Sequence, residues 1–100
     1  MAEYDQTIIL SLVKTRLNRL PSDTTLDNYL STLITATTGE LERTGITIRP
    51  GSADDTMLLV NVTVWRYQNR DSAAAMPPWL AQYRRERWLA ERTVNANDVG

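Results

Sequence analysis

The sequence predicts an all-α fold: a small bundle of about four helices with a short extended arm near residues 46–50. Three observations predict it. Apolar residues recur at intervals of three and four over long segments. Pro, Gly and Asp punctuation near residues 21–23, 45–55 and 71–78 divides the chain into four pieces of helical length. The composition, 42% hydrophobic and 23% charged, belongs to a folded globule and not to a disordered chain. A 100-residue chain has room for one modest core, since a monomer this size hides roughly 65% of its unfolded surface. A single domain is expected over residues 1–94, with a flexible tail at 95–100.

The first segment, about Asp5 to Leu20, places Ile9, Leu12, Val13, Leu17 and Leu20 on one helical face, with Ile8 beside them. Asp5 suits the N-cap, Lys14, Arg16 and Arg19 suit the C-terminal dipole, and Pro21 is expected to end the helix. In the second segment Leu26, Tyr29, Leu30, Leu33, Ile34 and Leu41 recur at helical spacing. Ser22, Asp23, Thr24 and Thr25 offer capping oxygens, and Gly45 supplies the left-handed stop. Thr32, Thr35, Thr37 and Thr38 lower its intrinsic propensity, so tertiary packing must hold it. Ile46 and Ile48 then alternate with Thr47 and Arg49 ahead of Pro50, which reads as an extended arm.

Residues 54–69 carry two patterns. Val60, Val62 and Val64 alternate with Asn61 and Thr63 as in a strand, whereas Met57, Val60, Val64 and Tyr67 form a helical stripe flanked by Leu58, Val62 and Trp65. A capping Ser52, an acidic first turn at Asp54 and Asp55, and a length beyond an average strand favour the helix. The fourth segment opens at Pro77-Pro78, with Pro78 fit for a first helical turn. Trp79, Leu80, Tyr83, Trp88 and Leu89 follow, interrupted by Arg84-Arg85-Glu86-Arg87.

The chemistry available is narrow. With no Cys and no His, disulfides, thiolate or imidazole metal sites and His-based acid–base schemes are all excluded. Glu40 and Glu42 point to different helix faces, and Asp54-Asp55 reads as a helix start. The glycines form no phosphate-cradling loop. A Ser or Thr nucleophile would have only Lys14 as its base. Neither an enzyme nor a cofactor is expected. The start of the chain is acidic, without the apolar run of a signal peptide, and no apolar stretch approaches a membrane span, so a soluble intracellular protein is expected.

Net charge is −1, but it is unevenly distributed. Residues 1–62 hold five basic against eight acidic residues, and residues 63–100 hold six Arg against four acids. Such a split suits head-to-tail contacts between copies, which generate rings. Three Trp and four Tyr with no Phe is a composition suited to surfaces with one apolar and one wet side, and Trp, Tyr and Arg are the residues enriched at binding hot spots. Trp79, Tyr83, Arg84, Arg85, Arg87 and Trp88 are therefore the candidate interface. A rival reading makes Arg84, Arg85, Arg87 and Arg92, interleaved with Tyr83 and Trp88, a nucleic-acid-binding or regulatory surface. The plainer alternative is that these arginines cover apolar surface with their stems and pair with neighbouring acids.

Taken in order, the chain runs helix, capped helix, Thr-Gly turn, and an Asp-started helix ending Trp65-Arg66-Tyr67-Gln68-Asn69-Arg70-Asp71. Met76-Pro77-Pro78-Trp79-Leu80 follows. This layout, over residues 5–90, resembles the tailed-phage head–tail connector (head-completion adaptor) proteins. In that family an apolar helix commonly ends in a Tyr-x-Asn-Arg-like signature, followed by a short loop and a Leu/Met-Pro segment. Tyr67, Asn69 and Arg70 match those positions. The departure is the Arg-rich helix from Trp79 to Val94, which is longer than the family's usual ending. The resemblance implies a helical third segment and a structural function. Copies would form a ring, expected to be a dodecamer, beneath the phage portal protein and present a surface to the next connector or tail-completion protein. Genomic DNA would pass through the lumen without sequence-specific contacts. It further implies location at the virion head–tail interface, with host cytoplasm during assembly, and no membrane partner.

Overall fold

The computed structural model describes residues 5–99, with side chains as far as Arg92. Among the described residues there are four helices: α1 (Gln6–Arg16), α2 (Asp27–Thr44), α3 (Ala53–Gln68) and α4 (Pro78–Val99). No strand occurs among the described residues, so the fold is the small all-α bundle that periodicity predicts. The tail expected at residues 95–100 falls on positions whose side chains lie outside the described ones.

Asp5 caps α1 as expected, its carboxylate accepting the amides of Thr7 and Ile8 at 3.0 and 3.4 Å. The far end differs from the expectation. Asn18 takes a left-handed conformation, φ 59°, the Arg19 amide donates back to the Lys14 carbonyl, and that of Asn18 to Thr15. This paired closure ends the helix at Arg16, ahead of Pro21, because Asn tolerates the left-handed region that most residues avoid. Leu20 therefore leaves the helical face assigned to it and stands 70% exposed. Ile9 and Val13 are buried, whereas Ile8 faces outward.

Asp23 does not cap α2 directly. It accepts from the Thr25 amide and hydroxyl and from Arg19, bonds that hold its pKa down at about 2. These contacts order a turn, and α2 begins at Asp27 with no side-chain cap. Leu30, Ile34 and Leu41 are buried. Thr37 accepts from Arg66, and Thr38 bonds back to the Ile34 carbonyl. Gly45, at φ 102°, ends α2 as expected.

The segment with two patterns is a helix. Ser52 caps it by accepting the Asp55 amide at 3.2 Å. Leu58, Leu59, Val60, Val62 and Val64 are all buried, which is possible only because α3 touches each of the other three helices. A helix apolar around most of its circumference must lie at the centre. Among the helices, α4 packs chiefly on α3, with Leu80 as its fully buried anchor, and it reaches the end of α2 through Trp88 and Thr44. No described helix is long and apolar enough to cross a membrane.

Candidate functional site

Between α2 and α3 the arm is extended but joins no sheet. Ile46 and Ile48 point into the core, and side chains from α3 and α4 satisfy the arm's backbone. The Gly45 carbonyl accepts from Arg92 and the Thr47 carbonyl from Arg87, both at 2.7 Å. The Thr47 amide donates to Glu91 and the Arg49 amide to Asp55. Side chains thus replace the neighbouring strand that buried backbone groups ordinarily require.

Asp55 organises this region. Read from the sequence as part of an acidic first turn, it is in fact fully buried. Its carboxylate accepts from Arg49 Nε at 2.9 Å and Nη2 at 3.1 Å, and from Arg87 Nε at 2.8 Å. Burial by itself would raise its pKa, but the bonds from Arg49, from Arg87 and from the Arg49 amide prevail. The carboxyl is held well below the usual carboxylate range, and the Arg49 guanidinium is correspondingly raised. Glu91 adds an ion pair to Arg87 at 3.1 Å.

The six interface candidates divide among three faces of α4. Tyr83 and Arg87 turn toward the core and arm: Arg87 is buried, and the Tyr83 hydroxyl donates to the Asp54 carbonyl at 2.7 Å. Burial, followed by the charges of Asp54 and Asp55, raises the Tyr83 pKa. Trp79 lies on the outer face, 57% exposed. Arg84, Arg85 and Trp88, together with Ala81, share the spacing i, i+3, i+4, i+7 and form one wall of a cleft. Thr44 and Ile46 form its other wall. Trp88 Nε1 donates to the Thr44 carbonyl at 2.8 Å, and Arg92 stacks on the indole at 4.7 Å. Of the four arginines in the nucleic-acid reading, Arg87 and Arg92 are thus engaged in holding α4 to the arm. Arg84 and Arg85 form no hydrogen bond or ion pair among the described residues.

The signature residues lie together at the end of α3, where they terminate the helix. The Asn69 amide and side-chain Nδ2 both donate to the Trp65 carbonyl, at 3.0 and 2.9 Å. Arg70 donates to the Tyr67 carbonyl and covers the Tyr67 ring at 4.1 Å. Tyr29 meets the same ring edge-on, 5.9 Å between centroids. Lys14, the one base considered for hydroxyl chemistry, is buried. Its ammonium donates to the Pro21 carbonyl and lies 3.0 Å from Asp27 Oδ1, an ion-pair distance without hydrogen-bond geometry.

Sequence reasoning missed Asp55, Arg49 and Glu91 as one cluster. The only local signal was an Arg ahead of Pro50-Gly51, because the pairing of Asp55 with Arg87 spans 32 positions. No protein-family description, curated protein or solved structure matches this chain.

Proposed function

We propose that this chain is a structural head–tail connector of a tailed bacteriophage or prophage. Copies assemble as a ring, expected to be a dodecamer, below the portal protein. The ring extends the DNA channel and offers a surface to the next connector or tail-completion protein. The observation that carries this reading is the end of α3. Tyr67, Asn69 and Arg70, the positions that resemble the connector signature, are the groups that stop the apolar central helix. They lead the chain through a short loop to Pro78 and α4. Two further features support it. The outward chemistry of α4 is an exposed Trp79, and Arg84 and Arg85 beside Trp88, which have no partner among the described residues; these are residue types that anchor protein contacts. The near-neutral charge suits a wall that DNA slides past without being gripped.

The test is the mass of the protein with and without purified portal rings, by light scattering and electron microscopy. A connector docks on the portal ring as a second ring, and Trp79→Ala, on the outer face of α4, weakens that docking while helicity is retained. Absence of portal association, with tight binding of free DNA that weakens steeply in salt, would instead establish a nucleic-acid-binding module. Portal and major capsid genes beside this one are expected as well.

A further inference from the structure

We propose that the cleft between α4 and the arm is one half of a head-to-tail contact between copies of this chain. The other half is the acid-rimmed apolar groove at the N-terminal ends of α1 and α3. This deepens the connector function and rests on its ring, but the contact itself needs no portal.

The cleft has a volume of about 450 Å³ and is lined by Thr44, Ile46, Ala81, Arg84, Arg85 and Trp88. Its floor is apolar and its rim carries two guanidiniums. Most arginines of this chain have internal partners: Arg19 pairs with Asp23, Arg66 with Glu40, Arg49 and Arg87 with Asp55. Arg16 bonds to Asn61, and Arg92 to the Gly45 carbonyl. Arg70 bonds to the Tyr67 carbonyl. Arg43, Arg84 and Arg85 have no such partner among the described residues, and of these three Arg84 and Arg85 line the cleft. Two guanidiniums without internal partners, beside an indole in one cleft, suit an apolar surface that carries carboxylates.

The same chain has such a surface. A groove of about 310 Å³ lies where the arm enters α3, lined by residues that include Asp5, Ile8, Leu12, Ala53 and Met57. Ile8 is 54% and Met57 37% exposed, high for large apolar side chains. Asp54, one turn before Met57, is exposed, and among the described residues its carboxylate makes no hydrogen bond or ion pair, its charge acting at longer range on Arg49 and Tyr83. Asp5 adds a second carboxylate, with only Oδ1 used in capping α1. Each surface thus has the charge the other lacks, and this is where the uneven charge of the two chain halves is exposed. Because the two patches differ, the contact is heterologous and repeats from copy to copy, closing a ring where the rotation permits.

Two charge-reversed variants test this, Arg84→Glu/Arg85→Glu and Asp54→Arg, with sedimentation velocity at about 50 mM salt, where screening is weak. Wild type is expected to gain mass with concentration. Each variant alone should stay at monomer mass, with self-association at least tenfold weaker. An equimolar mixture should assemble again, since copies can alternate with every junction complementary. Circular dichroism confirms that both variants fold. Because the chain has no cysteine, Ala81→Cys mixed with Met57→Cys provides a second readout: a disulfide-linked heterodimer in preference to either homodimer. The proposal is overturned by a wild type that stays monomeric, by variants that associate as wild type does, or by a mixture that stays monomeric. Monomers that still dock on portal rings would overturn this contact and leave the connector function standing. Self-association without portal affinity would do the reverse.

Discussion

Replacing Asp55 by Asn tests whether the buried ion cluster holds the arm and α4 to the central helix. Asn has nearly the same shape, so the change removes charge and acceptor capacity with little change in packing. Two guanidiniums then lose their counter-ion, and they are not equivalent. The Arg49 side chain is 57% exposed and can turn to water, so its share of the loss is small. The Arg87 side chain is 8% exposed and keeps only Glu91, at 3.1 Å, and the Thr47 carbonyl. Breaking a buried pair from one side costs about 3–5 kcal/mol. The remaining partners place this case at about 3 kcal/mol. For a domain this small, that loss lowers Tm by roughly 12–24 °C. Urea and thermal unfolding followed by circular dichroism measure it, and a loss below about 1 kcal/mol would refute the assignment. The pH dependence supplies a second check. The folded-state pKa of Asp55 is depressed, so its contribution is fully present above the unfolded value of about 3.9 and is lost as pH falls toward the folded value. Wild type should therefore keep this stability at pH 5 and lose it progressively below about pH 4, and Asp55→Asn should flatten that acid limb.

Two further substitutions probe positions set by local geometry. Gly45→Ala places a Cβ at φ 102°, within 2.5 Å of Arg92 Nη2. The left-handed backbone costs about 1–2 kcal/mol, and Arg92 must leave the Gly45 carbonyl. In urea unfolding the cost should combine less than additively with Arg92→Ala, since the two changes share one contact. Thr63 is fully buried and its hydroxyl has no hydrogen-bond partner among the described residues. Thr63→Val should be neutral or should raise stability by about 1 kcal/mol, because an unsatisfied buried group is removed without loss of volume; a clear loss in the same assay would reveal a bond to that hydroxyl.

Legibility followed the range of the interaction. The face of α2 and its stop at Gly45 were readable because both are local: burial repeats every three or four residues, and a positive φ selects Gly. The stop of α1 is equally local, but Asn18, left-handed at φ 59°, ends the helix before Pro21 is reached. In α3, β-branched residues set propensity against periodicity. Only burial on all sides against three other helices resolves that conflict in favour of the helix. On α4 the sequence offers six candidates but not the faces they take. Of the six residues proposed for an interface, Tyr83 and Arg87 turn inward because acceptors on α3 and the arm await them.

By itself, then, the sequence determined the all-helical class, the caps at Asp5 and Ser52, the turn at Gly45 and the absence of Cys and His chemistry. These are consequences of residues acting on their near neighbours. The tertiary structure alone decided that Asp55 is a buried counter-ion for two arginines and not merely a favourable charge at a helix start. It also decided that Arg84, Arg85 and Trp88, and not all six candidates, share the cleft. The physical reason is that charge and hydrogen-bond partners far apart in the chain are brought together only by packing, and no local spacing encodes which guanidinium is left unpaired.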